Sequence, residues 1–124
     1  MREPTVFSQT RSIKFDSPVA RNVVEEHFKT SLANIGRQLA FENVVIGHIK
    51  LVCRLPEEGG VLFMSLTMLD QVDVQALPGW QHADGFGIIN MEIVINVLIF
   101  GHSLDGVKKT VDSSFELLLQ EIPD

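Results

Sequence analysis

Glu92, His48 and Lys50 are the side chains in this 124-residue sequence whose types best suit proton transfer. A carboxylate can act as a base, an imidazole as an acid or orienter, and an ammonium as an anion anchor. Glu92 belongs to GFGIINMEIVINVLIFGH, Gly85 to His102, the most apolar stretch of the chain, which also carries Asn90 and Asn96. A second set lies in the connection LPGWQHADG, Leu77 to Gly85, with the single tryptophan, Trp80, followed by His82 and Asp84. Irregular connections of this length are often functional. The catalytic candidates are therefore His48, Glu92, His82 and Asp84. His82-x-Asp84 could offer two metal ligands, with His48 or His102 as a third. Protein zinc sites show a fixed partner spacing that is missing here, so no metal is assigned.

Nothing in these spacings demands catalysis. The sequence has no glycine-rich phosphate loop followed by a basic residue, no serine nucleophile elbow and no CxxC, and no cofactor is implied. Gly85-Phe86-Gly87 leads into a strand, not into the helix that a dinucleotide fingerprint requires. Cys53, the only cysteine, falls on the core side of its strand and reads as inert, because a reactive thiol needs an electropositive, partly exposed setting.

The candidates are positioned by strands. From Asn43 the apolar period changes from helical to two, giving strands at Val44 to Leu55, Val61 to Asp70 and Phe86 to Phe100, with Gln71 to Ala76 as a short extra one. Leu55-Pro56-Glu57-Glu58-Gly59-Gly60-Val61 is a hairpin signal, since Pro presets a turn and Gly supplies positive φ. A four-residue loop pairs Leu55 with Gly60, Cys53 with Leu62, Leu51 with Met64 and Ile49 with Leu66, a wholly apolar face. It also pairs Arg54 with Val61, Val52 with Phe63, Lys50 with Ser65 and His48 with Thr67. A five-residue loop mixes the faces, so the shorter loop is expected. On the last strand Ile89, Met91, Ile93, Ile95, Val97 and Ile99 face the core. Asn90, Glu92 and Asn96 then share the second face with Ile88, Val94 and Leu98.

Helices flank these strands. Asp16-Ser17-Pro18 reads as a helix start, and Val19, Val23, Val24, Phe28, Leu32, Ile35 and Leu39 follow at helical spacing, predicting a helix from Pro18 to Phe41. Gly36 either ends it early or allows a close approach. Ser103 opens a second helix with the stripe Leu104, Val107, Val111, Phe115, Leu118 and Ile122. Arg11 to Phe15 alternates weakly, as a short edge strand would, and residues 1–10 form a flexible or pairing arm. The expectation is one α+β domain over residues 1–124, two-layered, with an antiparallel sheet of three to five strands and two long amphipathic helices on one face.

Composition narrows the partners. Net charge is −6, and the ten basic residues have no run longer than Lys108-Lys109, so neither nucleic acid nor an anionic membrane is an expected partner. The N-terminus lacks a signal-peptide apolar region, and Phe86 to Phe100 is shorter than the ~20 residues of a membrane helix, so a cytoplasmic protein is expected. The sequence does not fix a function. The leading expectation is a homo-oligomeric assembly or binding protein, partnered by itself or a small-molecule ligand. Its contact surface is the second sheet face: His48, Lys50, Arg54, Ser65, Thr67, Asn90, Glu92 and Asn96, with Trp80 beside them. The alternative is a small lyase, isomerase or hydrolase with a site between that face and the Trp80 loop.

Overall fold

A computed structural model describes residues 3–57, 59–81 and 87–122. In chain order the elements are β1 (Thr5–Val19), α1 (Arg21–Leu39), β2 (Gly47–Arg54), β3 (Val61–Met68), β4 (Gln71–Ala76), α2 (Pro78–Gln81), β5 (Ile88–Ile99) and α3 (Leu104–Glu121). The strands form one antiparallel sheet in the order β1-β5-β2-β3-β4, so the fold is α+β. No helix among the described residues is long and apolar enough to cross a membrane.

The β2–β3 hairpin has the register that the four-residue loop requires, from Ile49 opposite Leu66 to Arg54 opposite Val61. The Leu55 N–H donates to the Gly60 carbonyl at 2.8 Å. The ladder stops at Ile49, so His48 has no paired Thr67. Thr67 is instead the extra residue of a bulge where β3 meets β4. On β5, Met91, Ile93, Ile95, Val97 and Ile99 are buried as expected. Ile88 and Ile89 exchange roles: Ile88 is buried and Ile89 is 41% exposed, because the β1–β5 ladder shifts between Lys14 and Val19.

The N-terminal segment departs most from expectation. Thr5 to Lys14 pair residue by residue with Ile99 to Asn90, and Asp16-Ser17-Pro18 lie in the bulged part of this strand, not at a helix start. The helix begins at Arg21, after Ala20, with no side-chain cap. Strand alternation is weak in this sequence because polar side chains occupy core-side positions. Gln9 and Arg11 donate to Asp112 of α3 at 3.1 and 2.8 Å, and the Arg11 guanidinium lies over the Phe115 ring, 5.3 Å from its centroid.

Val24, Phe28, Leu32, Ile35 and Leu39 of α1 join Val107, Val111, Phe115 and Leu118 of α3 and the buried strand residues in one apolar cluster. Phe28 and Phe115 meet at 6.2 Å between ring centroids. Leu104, expected in the buried stripe, is 55% exposed; the helix is instead capped by Ser103, whose Oγ accepts from the Gly106 N–H at 3.0 Å. Gly36 does not end α1. A methyl group there would lie 2.9 Å from Leu66 Cδ1, so glycine lets the helix settle onto β3. His102 closes the far end of that helix: its Nε2 lies 2.9 Å from the Leu39 carbonyl, one of the acceptors a helix terminus leaves unpaired.

The Gln9–Arg11–Asp112 cluster carries a pH signature. Hydrogen bonds from Gln9 and Arg11 and the Arg11 charge hold the Asp112 carboxyl below its ordinary value near 3.8. A lowered folded-state pKa contributes stability that is present above the unfolded value and lost as pH falls through the folded one. Asp112→Asn is therefore expected to lower Tm at neutral pH, by the equivalent of about 1 kcal/mol or less for so exposed a group. Thermal melts from pH 7 down to pH 2 should show the parent–variant gap closing below about pH 4. A gap independent of pH would mean that Asp112 contributes through packing alone.

Candidate functional site: the open face of the sheet

Strand register places the second-face residues in rows that run across all or most of the sheet. One row is polar throughout: Ser8, Asn96, Lys50, Ser65 and Asp73. The next is apolar in its middle: Thr10, Val94, Val52, Phe63 and Gln75. The third holds Ser12, Glu92, Arg54 and Val61. Beyond the polar row, Val6, Leu98 and His48 stand side by side. Phe63 is 40% and Val6 65% exposed, while Val52 and Val94 are half-buried. Lys50, Val52, Phe63, Ser65, Asp73 and Asn96 line an open depression of about 650 Å³.

Two polar contacts organise the lower part of the face. Arg54 Nη2 donates to Glu92 Oε1 at 2.5 Å, joining neighbouring strands where the register sets them opposite each other. Asn90 Nδ2 donates to Glu57 Oε1 at 3.0 Å, which ties β5 to the hairpin loop. Glu92 thus has the basic partner that its half-buried position calls for.

The catalytic candidates are not gathered. His48 stands opposite Leu98 and Glu92 opposite Arg54, six residues apart along the strands. At ~3.3 Å per residue that is roughly 20 Å, far beyond hydrogen-bond reach. The His48 Nδ1 atom is buried without a hydrogen-bond partner among the described residues. His82 and Asp84 lie outside the described residues. No group of three His, Cys, Asp or Glu side chains among the described residues could hold a metal ion. Burial pushes the Cys53 thiol far up, consistent with its place in the core.

Trp80 is a correction. It was expected beside the contact face, but it is fully buried, with its Nε1–H donating to Glu25 Oε1 at 2.5 Å. It forms part of the short α2, packed so closely on the hairpin that a methyl group on Gly60 would lie 2.8 Å from the Trp80 Cα. The second glycine of the Gly59-Gly60 pair therefore serves helix packing as well as the turn.

No family model, curated protein or solved structure matches the chain. The face is read from its own chemistry. The sequence missed Ser8, Thr10 and Ser12, because β1 did not show its alternation, and it overlooked Asp73 and Gln75, although the alternating QVDVQA segment carried that signal.

Proposed function

We propose that this chain is a non-catalytic assembly protein and that the open sheet face packs on the same face of a second copy. The observation that carries the reading is the Val94–Val52–Phe63 row, apolar and partly exposed at the centre of a polar surround. Contiguous exposed apolar groups of this kind mark interaction surfaces. Facing sheets pack about 10 Å apart with interdigitated side chains. Five strands at ~4.8 Å by about eight residues at ~3.3 Å give a patch on the order of 600 Å² per copy, the lower range for a specific interface. The rows on either side each offer a cation and a carboxylate, Lys50 with Asp73 and Arg54 with Glu92. Two copies stacked about a two-fold axis parallel to the strands and centred on Phe63 set Lys50 of each copy over Asp73 of the other.

Sedimentation at tens of micromolar tests the proposal. The parent is expected to be oligomeric. Phe63→Glu should break this contact, because it buries a charge without a partner. Glu92→Leu should keep fold and assembly. Glu92→Lys should weaken the assembly by setting a second cation beside Arg54. A monomeric parent, or unchanged mass and Tm in both Phe63→Glu and Glu92→Lys, removes the proposal.

A further inference from the structure

The ladder contacts show which backbone groups of β1 face outward. The Phe100 N–H donates to the Ile46 carbonyl, and Leu55 N–H to Gly60. In an antiparallel pair, hydrogen-bonded and non-bonded residue pairs alternate. The even-numbered residues of β5 therefore bond to β2, and the odd-numbered ones, Met91 to Ile99, bond to β1. Their partners are Ile13, Arg11, Gln9, Phe7 and Thr5. This leaves Val6, Ser8, Thr10, Ser12 and Lys14 with N–H and C=O directed away from the sheet, along an edge that no other strand among the described residues pairs.

Edge strands usually carry devices against further pairing: short length, charges, proline or bulges. The opposite edge, β4, has six residues and a bulge beside it. Over Val6 to Ile13, β1 is long and has no proline and no bulge. Its one charge there, Arg11, is engaged with Asp112.

We infer that the β1 edge pairs antiparallel with β1 of a second copy about Thr10, making a continuous ten-stranded sheet. In that register Thr10 meets Thr10 of the second copy, Ser8 meets Ser12, Gln9 meets Arg11, and Phe7 meets Ile13. Sliding by one residue pair in one direction sets Arg11 against Arg11. Sliding in the other sets Ile13 against Thr5. Only the register about Thr10 opposes apolar to apolar and cation to amide, pairings that favour a ladder. A second observation agrees with it. Ser12, Ile13, Lys14, Phe15 and Leu119 line an open depression of about 320 Å³ at this edge, and Leu119 is 38% exposed. Phe7 of the second copy, opposite Ile13, comes to this depression beside the exposed Leu119.

This contact is independent of the face contact proposed above, so it is tested in the full chain carrying Phe63→Glu. That protein is expected to be a dimer at tens of micromolar by sedimentation. Thr10→Pro removes one outward N–H while leaving the β1–β5 ladder intact, since proline is tolerated on the free side of an edge strand. It should weaken the dimer by at least about tenfold, and circular dichroism should show the parent fold. Charge reversal tests the register even if that variant folds badly. Ser8→Lys/Ser12→Lys should be monomeric, because lysines meet across the edge, whereas Ser8→Glu/Ser12→Lys should restore the dimer. A monomer in the Phe63→Glu background overturns the inference. So does a dimer unaffected by the paired lysines, or a failure of the mixed-charge pair to restore what the lysines abolish.

Discussion

Leu51→Asp is expected to abolish the folded state, whereas Lys50→Asp, one position away, should melt within a few degrees of the parent. Leu51 is 1% exposed and lies between Met64 and Ile95 in the core layer. A carboxylate there has no basic or hydrogen-bonding group opposite it. Its desolvation without compensation costs several kcal/mol or more, a large part of the ~5–15 kcal/mol that holds a domain together. Lys50 is exposed on the other face, between Ser65 and Asn96, so exchanging its charge leaves every buried contact in place. Thermal melts followed by circular dichroism make the comparison. Equal melting temperatures would show that strand alternation assigns the faces wrongly.

The second large effect belongs to Trp80. Truncation to alanine removes the bulkiest fully buried side chain and leaves a cavity beneath the hairpin. The expected loss is about 3–5 kcal/mol by equilibrium denaturation. Trp80→Phe retains most of the packing but leaves Glu25 without its indole donor, so it should cost less than half as much. A loss below about 1 kcal/mol for Trp80→Ala would be the signature of a surface residue rather than a core one.

The difference between what strand and helix patterns revealed and what they hid has physical causes. The hairpin register and β5 beyond Asn90 were legible because every core-side position is apolar, and a one-residue slip would have exposed them all. The second face followed from the same alternation, including the placement of Glu92 on the side of its partner Arg54. The first strand was hidden because Gln9 and Arg11 occupy its core-side positions and satisfy their polarity through Asp112, a residue about a hundred positions away. Asp16-Ser17-Pro18 imitated a helix cap because residue types that start helices also suit a bulge on an edge strand. Trp80 was misplaced since the approach of Gly60 that buries it is a tertiary fact with no local pattern.

β5 is the last strand in sequence and lies between β1 and β2. Its residues pair with partners 38 to 94 positions earlier, from Glu92 with Arg54 to Ile99 with Thr5. During synthesis, therefore, the hairpin and the N-terminal strand emerge as two separate pieces, each with an unpaired side, joined by α1. They cannot become one sheet until the chain has grown past Ile99. Closing such distant pairings is intrinsically slow and leaves strand edges open to the wrong neighbour meanwhile. Nascent chains stopped before residue 88 should thus be the aggregation-prone form of this protein, and the arrival of a single strand is the step that ends the exposure.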